Sequence, residues 1–272
     1  MSADALAPLA ELEAIAGTAD FGFDAADRLC VGVPARRFLH GGVAFAACIE
    51  AMERATALPA IQVSAQFLSV GRPGDRVLLA PRISVKGKTV NQCVLQATIG
   101  KEAFVAAQGS FGHRASEIAH AIHPPSVRSW DDSIPHSVVY LLSTRIERLF
   151  EFRLAAGEVP DRSGWVGPGG QNIAFWIKPR NGKPLDRMLL AVIADLAPIA
   201  LHGALGRLAS GNSLDNAIRF VAPTDAGRVL VRVVVDGVRG GFAHLAAHLF
   251  APDGQLLAVA SQSVILRLWD KL

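Results

Sequence analysis

The chain repeats itself, and the repeat limits what it can fold into. Each half carries one apolar helical segment followed by segments of period-two alternation. In the first half the helix is read at Gly42–Ala55, with strands near Gln62–Val70, Arg76–Val85, Thr89–Ile99 and Ala103–Phe111. In the second the helix is read at Leu185–Leu205, with strands near Leu214–Val221, Arg228–Asp236, Phe242–Phe250 and Leu256–Leu266. Turn punctuation matches too. Gly100-Lys101 stands where Gly254-Gln255 stands, and Gln108 where Gln262 stands, both 154 residues apart. A helix that is apolar all round belongs inside, and an antiparallel sheet with one buried face can cover it. The expectation is an α+β protein with pseudo-twofold symmetry: two antiparallel sheets, each wrapped around a long buried central helix. Its repeats are read at 1–113 and 142–272, with a linker at 114–141.

Strand parity names the buried face. Val229, Val231, Val233 and Val235 share one row while Arg232 and Asp236 lie on the other. The row 256, 258, 260, 264 and 266 is Leu, Ala or Val throughout, and Gln262 sits in it. The stretch Arg114–Pro135, rich in His, Pro, Ser and Asp, reads as a surface linker. A second irregular stretch, Ala155–Gln171, contains Gly-Pro-Gly-Gly at 167–170; without a following Lys-Ser/Thr it reads as a plain loop.

Composition bounds the function. Hydrophobic residues make up 51% and charged residues 19%, with mean hydropathy +0.32, which excludes a disordered chain. The formal charge of +3 comes from scattered basic residues, so nucleic acid is not an expected partner. The apolar run Met188–Leu205 is long enough to raise a membrane span. It holds Asp195, Pro198 and His202 and lacks an aromatic belt, so it reads as a buried helix and no membrane partner is expected. Cys30, Cys48 and Cys93 have no disulfide or metal-ligand spacing and read as reduced thiols. The acidic N-terminal stretch does not look like a signal peptide. These features point to a soluble, cytoplasmic protein.

Three residues break the apolar pattern. Asp195 interrupts the second helix, and a carboxylate buried there needs donors or a raised pKa. It is either a general base in a cleft or a satisfied acid beside the Pro198 kink. Gln262 is an amide on an apolar strand row, and Ser213 precedes a strand. Each has a plain structural explanation, but together they could orient a water while Asp195 takes its proton. No G-x-S-x-G elbow exists. His244 and His248 fall on the outward strand row, not as metal ligands. Lys86-Gly87-Lys88 and Arg239-Gly240-Gly241 occupy matching turns, as plain hairpins or as phosphate contacts.

At these residues the chain resembles a known family. His40-Gly41-Gly42 opening a buried helix, with Glu50 further along it, resembles the hotdog fold. Trp176-Ile-Lys-Pro, Ile193-Ala-Asp-Leu, Ser213-Leu-Asp-Asn and Val259-Ala-Ser-Gln are similar to the double-hotdog acyl-CoA thioesterases of the TesB type, over nearly the whole chain. The resemblance implies that Asp195, Ser213 and Gln262 activate water, that acyl-CoA is the substrate, and that neither cofactor nor metal is required. The family pattern often has Asp-His after its hydroxyl residue; here stand Asp215-Asn216. In the first half Glu50 and Gln108 are read as counterparts of Asp195 and Gln262, with Ala60-Ile61 in the place of Ser213, so that half is expected to be degenerate.

The expected activity is therefore acyl-CoA hydrolysis. His40, Gly41, Gly42, Lys86, Lys88, Arg239 and Gly240 are the candidate substrate contacts, with backbone N–H groups at a helix start facing the oxyanion. The alternatives are a non-catalytic acyl-CoA or lipid-binding protein and an enoyl-thioester hydratase or dehydratase; the latter usually pairs an acid with a His, and none is obvious in the Asp195 or Glu50 motifs. Exposed sheet edges also allow a homodimer.

Overall fold

The structure is a computed structural model that describes residues 10–32, 35–136, 149–158 and 172–268. The Gly-Pro-Gly-Gly stretch at 167–170 and the end of the expected linker lie outside the described residues. In the first half β1 (Glu13–Ala14), β2 (Phe21–Asp24), β3 (Cys30–Val31) and β4 (Phe38–Leu39) precede α1 (Gly41–Thr56). Then come β5 (Ala60–Phe67), β6 (Arg76–Lys86), β7 (Val90–Ile99) and β8 (Glu102–Gly112). The second half has β9 (Ile134–His136), β10 (Phe150–Ala156) and β11 (Asn172–Pro179), then α2 (Arg187–Ala194) and α3 (Ala200–Leu205). It closes with β12 (Ala209–Ser213), β13 (Asp215–Phe220), β14 (Val229–Arg239), β15 (Phe242–Phe250) and β16 (Leu256–Leu268).

The two expected sheets are one. Among the described residues thirteen strands run continuously in the order β1-β2-β6-β7-β8-β5-β13-β16-β15-β14-β11-β10-β9, and β12, off this path and paired to β16, makes fourteen. The halves join where β5 and β13 pair antiparallel, from Asp215 opposite Gln66 to Arg219 opposite Gln62. Val63 and Ile218 are paired at this seam and are both fully buried. Each of these two strands would otherwise be a sheet edge with unpaired backbone groups, and pairing the two edges satisfies them.

The second helix also departs from expectation. It is not one long helix: α2 ends at Ala194, a 3₁₀ turn spans Ala197–Ile199, and α3 follows. Pro198 is the cause, since it lacks an N–H and its ring clashes with the carbonyl four residues back, that of Ala194. Asp195 is the C-cap of α2. The apolar run is interior as expected, with Leu189–Ala197 and Ile199–Gly203 buried in the protein.

Segment 127–133 crosses the outer face of the second-half sheet. Val127 and Trp130 pack there with Ala155, Ala174, Trp176, Leu230, Phe250 and Leu256. Trp176 Nε1 donates to the Arg128 carbonyl at 3.0 Å, and the Arg153 guanidinium stacks 4.5 Å from the Trp130 ring centre. As a result β11 is buried on both faces.

The seam can be tested by one deletion. Ile218→Ala is expected to lower stability by about 2–5 kcal/mol in urea unfolding, the cost of a large-to-small change at a site with no room to collapse.

Candidate active site

Helix α1 starts against the break in the second helical segment. His40 is the N-cap of α1, and its Nδ1 accepts from Gly42 N–H at 3.1 Å. The same N–H, one of the donors that a helix start leaves without an intrahelical partner, points at Oδ2 of Asp195 at 2.5 Å. This approach requires glycine. A Cβ at Gly42 would lie 2.8 Å from Asp195 Cβ and 3.0 Å from Val192 Cα.

The other carboxylate oxygen, Oδ1, accepts from Asn216 Nδ2 at 3.1 Å, Ser213 Oγ at 3.3 Å and Gln262 Nε2 at 3.3 Å. Gln262 Nε2 also reaches Ser213 Oγ at 3.0 Å. Asp195, Asn216 and Gln262 are all buried. Gln262 Oε1 is buried too and has no hydrogen-bond partner among the described residues. Burial pushes the Asp195 carboxyl above the usual aspartate range, while His40, Gly42 N–H, Asn216 and Ser213 pull it back. The His40 imidazole is pushed below its ordinary pKa by burial, against the pull of Asp195. Nδ1 accepts from Gly42, so the neutral ring carries its proton on Nε2, the tautomer assigned from this network.

Asp195, Ser213 and Gln262, each singled out in the sequence, are thus brought together. Two neighbours were not expected in this role. His40 Nδ1 lies 3.5 Å from Asp195 Oδ2, so the acid does have a histidine beside it. Asn216 was noted only as a departure from a family pattern. A bulge explains its placement: Ser213 pairs with Val264 and Ala217 with Ser261, leaving one extra residue on this side of the ladder. The extra residue turns Ser213 and Asn216 to the same face, as bulges beside sites do. The available signal was parity, since Asn216 shares the inward row of β13 with buried Ile218.

The first-half counterparts need correction. The β7–β8 and β15–β16 hairpins each carry a bulge after the turn, at Phe104 and Leu257, and the inward rows then run 105, 107, 109, 111 and 258, 260, 262, 264. Gln262 therefore corresponds to Gly109, and Gln108 lies on the exposed row. The second turn is one residue longer, so matching the turns by their glycines puts the strands one step out, which flips the face. By the same register Ser213 corresponds to Ala60 and Asn216 to Val63. Counted from the N-caps His40 and Asp186, Asp195 corresponds to buried Ile49; the Glu50 carboxylate is instead paired with Arg54 at 2.5 Å. The first half holds Ile49, Ala60, Val63 and Gly109 where the second holds the polar quartet.

Of the other candidates, Gly41 lies beside the acid: a Cβ there would be 3.1 Å from Asp195 Oδ2. Arg239 and Gly240 form a hairpin tip in one ladder row with Phe242, Ile265 and Asn212, next to Ser213. Lys86 shares a row with Asn91, Phe111 and Ala60, so the Lys86–Lys88 tip adjoins the unequipped half. His244 and His248 face outward as read, His244 Nδ1 meeting Ser263 Oγ and His248 stacking on Phe250.

Two stability outcomes follow. Gly42→Ala is expected to cost about 1–3 kcal/mol in urea unfolding, because the added methyl overpacks the helix contact. Asp195→Asn is expected to raise the melting temperature at neutral pH. Burial of this acid is a burden on the wild type there, since its raised pKa makes ionisation less favourable than in the unfolded chain, and that burden lifts as pH falls. The gain should shrink toward pH ~4, the ordinary aspartate value, in paired melting curves across pH.

Comparison with known proteins agrees with this architecture. Residues 32–112 match the family model for the acyl-CoA thioesterase N-terminal domain, and residues 122–266 match that for the C-terminal domain. No curated protein matches the sequence. Among solved structures, one assigned as a thioesterase from Novosphingobium aromaticivorans is 27% identical with TM-score 0.84, covering 94% of this chain and 98% of that one. A hot dog fold protein of unknown function from Alicyclobacillus acidocaldarius has TM-score 0.78 at 17% identity, covering 95% and 96%. Acyl-CoA thioesterase II TesB2 from Mycobacterium marinum has TM-score 0.75 at 17% identity, covering 99% of each chain. The fold is a hotdog fold, and the chain belongs to the acyl-CoA thioesterase family.

Proposed function

We propose that the protein is a soluble, cytoplasmic acyl-CoA thioester hydrolase in which Asp195 is the general base toward water. The observation that carries this is the divided carboxylate: Oδ2 is fixed by the α1 N-terminus, and Oδ1 faces Ser213 and Gln262. An attacking water must give up one proton and keep a lone pair directed at the carbonyl carbon. Asp195 can accept that proton, and the unpartnered Gln262 Oε1 can accept the other O–H. Ser213, which accepts from Gln262 and donates to Asp195, keeps both in register.

Water oxygen bonds to the thioester carbon as its proton passes to Asp195. The tetrahedral intermediate then collapses, the carbon–sulfur bond breaks, and the proton leaves with the CoA thiolate. The Gly42 N–H is committed to the acid, so His40, Gly41 and Gly42 serve by holding Asp195 as much as by facing substrate. Arg239 and Gly240, beside Ser213, are the better-placed contacts for CoA phosphates; Lys86 and Lys88 adjoin the unequipped half. In this reading residues 1–113 and 142–272 are the two hotdog repeats and 114–141 connects them.

One observation favours a second reading. The His40–Asp195 approach of 3.5 Å supplies the acid–histidine pair that an enoyl-thioester hydratase uses. One assay separates the readings. Thiol release from a panel of acyl-CoAs, short to long and branched to aromatic, is expected in the wild type and lost in Asp195→Asn. Loss of enoyl absorbance without thiol release would instead establish hydration, and binding with neither would leave an acyl-CoA-binding protein. Burial raises the Asp195 pKa, so the acid limb of kcat/KM should lie above pH ~4, with activity present above it and lost below it.

A further inference from the structure

We propose that Asn216 is a positioning residue: its side-chain amide holds Oδ1 of Asp195 so that the carboxylate keeps the orientation in which it receives the water proton. This rests on the reading of Asp195 as the base. Asn216 is 1% exposed, and Nδ2 lies 3.1 Å from Asp195 Oδ1. Its role differs from that of the two other donors. Ser213 and Gln262 bond to each other as well as to Asp195, and they face the water. The Asn216 side chain bonds to Asp195 alone among the described residues.

Packing does not explain an amide here. The corresponding residue in the first half is Val63, fully buried on the same face and paired with Gly109 where Gln262 stands in the second half. The fold thus fills this position with a valine when no acid is nearby. A buried amide without a task costs free energy relative to that valine. An amide also suits the task, since it donates without titrating and cannot take the proton that Asp195 is to receive. The groups facing Asp195 are His40 and Gly42 from the start of α1, Ser213 and Asn216 from β12 and β13, and Gln262 from β16; His40 is the titratable one.

The test compares Asn216→Val with Asn216→Thr, which have nearly the same shape but differ in a hydroxyl donor. Three quantities are read: kcat and KM for thiol release, the pH dependence of kcat, and the ionisation of Asp195 by carbon-13 NMR of its carboxyl. Asn216→Val is expected to melt no lower than the wild type. Its kcat should fall roughly 10- to 100-fold with KM little changed, the effect of one hydrogen bond to a charged group. Its acid limb and its Asp195 ionisation should both move to higher pH, since a donor to the charged form is lost. Asn216→Thr should recover part of both. Wild-type kcat and pH profile in Asn216→Val overturn the proposal. So does a loss of activity with an unmoved Asp195 ionisation, which would mean that Asn216 only supports packing. If the wild type releases no thiol, the hydrolase reading fails on its own. The NMR comparison still decides whether Asn216 holds Asp195, and an unmoved ionisation overturns it.

Discussion

The architecture turns on a single backbone N–H. At the start of α1 the Gly42 donor meets a carboxylate from the other half of the chain, inside the protein, where neither group could be left unpaired. Several sequence choices serve that meeting. Gly42 has no Cβ, so α1 can lie against Val192 and Asp195. Pro198 ends α2 at the acid instead of letting a continuous helix run past it. The seam between β5 and β13 fixes the halves so that the two elements arrive together. The positive end of α1 stabilises the ionised acid, while burial opposes ionisation. The balance leaves a carboxylate more basic than an exposed one.

Much of this was legible in the sequence, and the misreadings share a physical origin. Asp195 and Gln262 could be found because burial penalises polar groups on apolar rows, so a departure from pattern carries information, whereas Ser213 stood out only as a hydroxyl before a strand. The eight main strands could be found because one face of each is apolar. β11 was missed because segment 127–133 covers its outer face, leaving Ile173–Ile177 buried on both sides and erasing the alternation. The pairing of β5 with β13 was missed because alternation tells which face of a strand is buried but not which strand lies beside it.

Three further misreadings are single-residue displacements. A turn one residue longer moved the counterpart of Gln262 from Gly109 to Gln108. A step of one along the helix exchanged buried Ile49 for Glu50, whose partner is Arg54. The extra residue near Leu214 hid Asn216 from a reading that assumed unbroken alternation. Strand faces alternate with every residue, so an offset of one is as serious as an offset of any odd number. Bulges and turn lengths are set by backbone geometry and leave faint traces in residue type.

The first half carries a bulge at the matching place: Ala60 pairs with Phe111 and Gln62 with Ser110, leaving Ile61 over. The strand bulge is therefore common to both repeats, and what separates the equipped half from the bare one is its side chains together with the break in its helix. Yet the bare half could not simply be refitted. A Cβ at Gly109 would sit 2.6 Å from the carbonyl oxygen of Gln62, within its own sheet. On the proposed reading the framework divides its labour, the crowding at Gly109 stands against reversing that division, and each chain would carry one reaction centre per two repeats.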